Sequence, residues 1–178
     1  MRIIGQFRDL DDPDQFVWLR AFQDMDSRRA ALEAFYGGPV WRQHSARANA
    51  TMADVSNVLL LRPIGPLLAL PSQRPPLGGP STPSSVIIAN ICRLAQPVDD
   101  TTLATATAGI QPLAPGLMRT LHALNTFPAL PVREDANVVC WLQHGPGNAD
   151  IGPPALRSLL DGPPQRLRLA PTARSLLR

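Results

Sequence analysis

Residues 67–85 read LLALPSQRPPLGGPSTPSS, and this stretch divides the chain. Proline removes a backbone donor and clashes with the preceding turn, so neither a continuous helix nor a central strand can run through it. It reads as a linker, residues 67–84, between an N-terminal segment, 1–66, and a C-terminal segment, 85–178. Gly78-Gly79-Pro80-Ser81-Thr82 inside it lacks the lysine and the spacing of a phosphate loop.

Upstream of the linker, residues 2–8 and 16–22 predict two strands joined as a hairpin by the turn Asp9-Leu10-Asp11-Asp12-Pro13-Asp14. A helix over 27–35 stops at Gly37-Gly38, Pro39 restarts it at a first-turn position, and it runs to residue 48. A strand over 57–63 closes the segment. Downstream, the pattern predicts a strand at 85–94, a helix near 101–111 and strands at 119–127 and 137–144. A short helix near 154–160 and a last strand toward Arg178 follow.

Strand, helix, two strands, helix, strand is the ferredoxin-like, split βαβ order. The segments also match each other. Met118-Arg119 parallels Met1-Arg2, Trp141-Leu142-Gln143 parallels Trp18-Leu19-Arg20, and residues 174–178 parallel 57–62, which together predict an internal duplication. The expected fold is α+β, with two ferredoxin-like repeats of which the first lacks its opening strand and helix. The missing strand is central in such a sheet, and its loss would leave both neighbours with unpaired backbone groups. With Met1 aligned on Met118, the sequence predicts that a strand and a helix precede Met1.

Composition narrows the function. With 44% hydrophobic residues in 178, the chain can bury a core. All seventeen Lys+Arg residues are arginine, which excludes Schiff-base chemistry, pyridoxal phosphate anchoring and a P-loop lysine. A net charge of +3 spread along the chain is not the clustered footprint of a nucleic-acid partner. No apolar run reaches membrane-spanning length and no signal peptide opens the chain, so no membrane partner and a cytoplasmic location are expected. Cys92 and Cys140 sit in apolar, strand-like runs and read as core thiols. No HxxxH, HxH or CxxC spacing occurs, and the acidic turn 9–14 departs from a calcium loop at Pro13 and Arg20, so no metal and no cofactor are expected.

The candidate ligand residues come from alternation. In the strand 16–22, Phe16, Trp18, Arg20 and Phe22 share one face and Val17, Leu19 and Ala21 the other. If the aliphatic face packs on helices, the aromatic face looks into a barrel, where the first strand adds Gln6 and Arg8. An arginine among aromatic rings suits an acidic or phenolic aromatic ligand through charge-assisted hydrogen bonds and stacking. On the helix after Pro39, Trp41, His44 and Ala48 share a face and Asn49 follows at its end, with His44 the candidate general base.

At GQFRDLDDPDQFVWLRAF (5–22), ALEAFYGGPVWRQHSARANATM (31–52), SNVLLLRP (56–63) and RLAPTARSLLR (168–178), the chain resembles bacterial proteins of the NIPSNAP family. The resemblance implies a dimeric α/β barrel, in which two ferredoxin-like sheets close face to face around a ligand cavity, here built from one chain or from a homodimer. It implies no settled activity, since the wider superfamily holds cofactor-free monooxygenases, lyases and plain binding proteins. Two readings stand: a barrel that binds a small aromatic or acidic ligand, with or without cofactor-independent catalysis, and an interaction or structural protein whose barrel is filled by its own side chains. Between binder and enzyme the sequence does not decide.

Overall fold

The computed structural model describes residues 1–65, 68–78, 85–108, 116–145 and 152–178. The expected helical residues 109–111 and part of the linker lie outside the described residues. Among the described residues, seven strands form one curled antiparallel sheet, a half-barrel, with four helices. In chain order the elements are β1 (Arg2–Asp9), β2 (Phe16–Ala21), α1 (Met25–Tyr36), α2 (Pro39–Asn49), β3 (Leu61–Pro63), β4 (Ile87–Arg93), α3 (Asp100–Ala106), β5 (Met118–Thr120), β6 (Val138–His144), α4 (Pro154–Arg157) and β7 (Gln165–Pro171). They lie in the order β2-β1-β7-β4-β6-β5-β3.

Local chemistry sets the helices. Asp24 caps α1 by accepting the Ser27 N–H at 2.7 Å, and α1 ends at Gly37. Pro39, at the first turn of α2, lacks only an N–H that would have no partner there. Asp99 caps α3 through the Thr102 N–H at 2.9 Å.

The sheet departs from the two face-to-face sheets that the family resemblance implies. Within 85–178 both strand–helix–strand connections skip a strand, giving β7-β4-β6-β5, but the N-terminal segment adds no second sheet. Its hairpin pairs with β7, and β3 pairs with β5 at the far edge. The strand expected over 57–63 shrinks to Leu61–Pro63, and that over 119–127 to Met118–Thr120. Beyond Thr120 the chain turns to α1, where Thr126 Oγ1 donates to the Met25 carbonyl at 3.0 Å. The last strand stops at Pro171, and residues 172–178 instead bind along β1. Thr172 N–H donates to the Gln6 carbonyl, and the buried Ser175 hydroxyl both donates to Gln6 O and accepts from Gln6 N–H.

Each sheet face has its own core. One cluster places Cys92, Val139 and Trp141 against Leu103 of α3 and Leu156 of α4. The other joins Phe7, Ile87, Leu142 and Leu169, and takes in Leu177 of the tail and Leu68 and Leu70 of the linker. Val17, Leu19 and Ala21 pack into this second cluster, not against helices, which reverses the expected assignment of faces. Period-two alternation separates the faces of β2 correctly; long-range packing of the linker and tail decides what covers each.

A polar clasp joins β3, β5 and α3. Arg119, with 7% of its side chain exposed, donates to the Val98 carbonyl and to Asp100 Oδ1, both at 2.7 Å, and Arg62 binds the same carboxylate. The Arg62 hydrogen bond, with help from Arg119, holds the Asp100 carboxyl below the usual range. Its contribution to stability is therefore complete above the pH where an unfolded aspartate ionises, about pH 4, and is lost as pH falls through the lowered value.

Both cysteines are free and buried. Burial pushes the Cys92 thiol up to about 11, and burial next to Cys92 pushes Cys140 up to about 12. Because the thiolate is the reactive form, neither thiol should react with Ellman's reagent in the native protein at about pH 8, while both react after unfolding. Prompt native labelling of either would place it at the surface.

Candidate functional site

The face of β2 opposite the aliphatic residues carries Trp18 and Arg20. The Arg20 guanidinium lies over the Trp18 ring, 4.6 Å from its centroid. The ring meets Phe35 of α1 edge-on at 6.3 Å. Phe35 and Tyr36 then contact Trp41 of α2, at 5.5 and 4.9 Å, and Tyr36 stacks on Phe127 at 5.6 Å. Five aromatic residues from β2, α1, α2 and the segment after β5 thus form one connected cluster. Such ring pairs contribute about 0.5 to 1.5 kcal/mol each beyond burial.

Into this cluster α1 sends Arg28, buried at 4% exposure. It shares the inward stripe of α1 with Leu32 and Phe35, at i, i+4 and i+7. Arg28 Nη1 donates to Asn125 Oδ1 at 3.0 Å. Asn125 is itself oriented by donating Nδ2 to the Leu130 carbonyl at 3.0 Å and accepting the Phe127 N–H at 3.1 Å.

Two donors remain. Arg20 Nη1 and Arg28 Nη2 are buried and have no hydrogen-bond partner, and neither arginine forms an ion pair among the described residues. Burial, and then the charge of Arg20, lower the pKa of Arg28, while Tyr36 acts in the opposite direction. A buried donor without an acceptor costs about 1 to 3 kcal/mol. Elsewhere a carboxylate meets a buried arginine, as Asp100 does for Arg119; among the described residues neither Arg20 nor Arg28 has one.

No family model, curated protein or solved structure matches the chain. The chemistry of the site therefore rests on its own geometry.

Of the residues that the sequence singles out, the structure brings together Arg20, Trp18 and Trp41. Gln6 is engaged elsewhere, its Oε1 accepting from Arg74 Nη2 of the linker at 2.6 Å. Arg8 is exposed on β1. Phe22 lines a shallow surface depression with Met1, Arg2 and Ser27. His44 and Asn49 are exposed on α2, and His44 has no hydrogen-bond or ion-pair partner among the described residues. Arg28, Phe35, Tyr36, Asn125 and Phe127 join the site without having been expected. The signal for Arg28 was a charge on the apolar stripe of α1. No signal in the sequence ties residues 125–127 to that helix. Among the described residues no three His, Cys, Asp or Glu side chains come together as a metal site, and no helix is long and apolar enough to cross a membrane.

Proposed function

We propose that this chain is a small-molecule-binding protein that takes an acidic aromatic ligand between β2 and α1, with its carboxylate on Arg20 and Arg28 and its ring among Trp18, Phe35 and Tyr36. The observation that carries this reading is the pair of buried guanidinium nitrogens without acceptors. A carboxylate supplies two acceptor oxygens and the missing charge, and charge-assisted hydrogen bonds are the strong ones. Trp18, 36% exposed, is the ring that moves to admit the ligand.

The NIPSNAP-like reading belongs to the same proposal, as do the boundaries at 67 and 85 and the ferredoxin-like repeats. Its support is the skipped-strand order β7-β4-β6-β5 of the second segment. Trp18 and Trp141 also lie on one face of the sheet, since Leu19 and Leu142 both face the second cluster. Binding is preferred over catalysis because His44, the expected general base, stands in solvent on α2. One observation favours the alternative of an interaction or structural protein: Leu68, Leu70 and Leu177 of the chain itself cover the other sheet face.

Native mass spectrometry of the purified protein tests the proposal. The expected result is an organic acid that copurifies with the wild type and is absent from Arg20→Leu, whose affinity for that molecule falls about ten- to a hundredfold. An Arg20→Leu protein that keeps its affinity and loses stability would make Arg20 structural and favour the alternative.

A further inference from the structure

A cavity also borders the central strands β4 and β6. Its volume is about 500 Å³, within the usual range for small-molecule sites, and it opens where β4 ends and β6 begins. Its lining includes Arg93, His122, Arg133, Asp135, Asn137 and Asp161.

The wall is built by backbone bonds. Leu94 N–H donates to the Asn137 carbonyl at 2.9 Å, and Asn137 Nδ2 donates back to the Leu94 carbonyl at 3.3 Å. That clasp fixes the amide, yet Asn137 Oδ1 is left buried with no donor. The Arg133 N–H binds the Val58 carbonyl at 2.8 Å, and Ala136 N–H closes a turn on the Arg133 carbonyl at 3.2 Å, so Arg133 and Asp135 sit on one anchored loop. Arg93 is already neutralised by Asp161 at 2.9 Å. Arg133 makes one long side-chain bond, to Asn57 Oδ1 at 3.4 Å, and Asp135 forms no ion pair among the described residues.

The cavity therefore offers a cation with spare donors, on Arg133, and an exposed carboxylate without a cation, on Asp135. We infer that it binds a small zwitterion of the amino-acid class, with the carboxylate on Arg133 and the ammonium on Asp135. An ammonium has three donors for that acceptor, and a carboxylate matches the guanidinium fork. This site uses no residue of the Arg20–Arg28 cluster.

The test is a thermal-shift and calorimetric titration with the free non-aromatic proteinogenic amino acids, each compared with its amide and with its deaminated acid. The expected result is saturable binding of at least one amino acid, with affinity falling about ten- to a hundredfold in Asp135→Asn and in Arg133→Met and unchanged in Arg20→Leu. Both substituted residues lie on a surface loop, and the urea midpoint of each variant checks that it folds; each serves where the other does not. Binding of no amino acid overturns the inference. So does equal binding of the amide or the deaminated acid, or binding that survives both cavity variants.

Discussion

Replacing Arg28 with methionine should leave the ligand-free protein as stable as the wild type or more so, while abolishing its response to an aromatic acid. Arg28 is buried, carries a nitrogen without an acceptor and is exposed to the charge of Arg20. Methionine fills similar volume without a charge, and it removes the buried donor without an acceptor, which costs about 1 to 3 kcal/mol. Asn125 Oδ1 loses Arg28 but keeps the Phe127 N–H, so little is left unsatisfied. For a chain of this size each kcal/mol moves the melting temperature by about 2 to 4 °C. Arg119→Met is the control, because Arg119 holds Val98 and Asp100 and its loss should lower the melting temperature. If Arg28→Met unfolds at markedly lower temperature, as the control does, Arg28 is a structural arginine and the site has no claim on a ligand.

The largest loss of stability is expected for Phe7→Ala. Phe7 is 1% exposed and is among the largest fully buried side chains. Its ring covers Gly5 so closely that a Cβ added there would lie 2.0 Å from Phe7 Cζ. The cluster it belongs to draws on β1, β4, β6, β7 and Leu177 of the tail, so the cavity left by alanine is not expected to close by moving one element. The expected cost is about 3 to 5 kcal/mol, a large share of the stability of an ordinary domain. Urea denaturation checks it through the shift in midpoint. A change under about 1 kcal/mol would mean that this face is not a packed core.

The hairpin, α1, α2, β4 and β6 were legible because local signals mark them: alternation in β2, a glycine stop after α1, a first-turn proline in α2 and apolar, strand-like runs around Cys92 and Cys140. The ends of β3, β5 and β7 were not. Residues 121–127 have strand-like composition, but Asn125 and Thr126 spend their hydrogen bonds on Leu130 and on α1, a choice made by tertiary contact. Residues 174–178 resemble 57–62 in sequence, yet Ser175 ties them to Gln6 instead of continuing the strand. The duplication register predicts unpaired neighbours for the missing central strand; β7 and β5 of the second segment supply the partners. At the site, alternation paired Trp18 with Arg20 correctly. It could not say which face would be covered by Leu68 and Leu70, which lie about fifty residues along the chain, nor that Arg74 would engage Gln6.

Isothermal titration of 2-naphthoate against 2-naphthamide tests the central claim most directly, since the two share a ring system and differ in the charge that Arg20 and Arg28 lack. The account predicts saturable binding of the acid, quenching of tryptophan fluorescence as Trp18 moves, at least tenfold weaker binding of the amide, about 1.4 kcal/mol or more, and loss of the acid's binding in Arg20→Leu. Equal binding of acid and amide, or no binding of the acid at millimolar concentration, would contradict it.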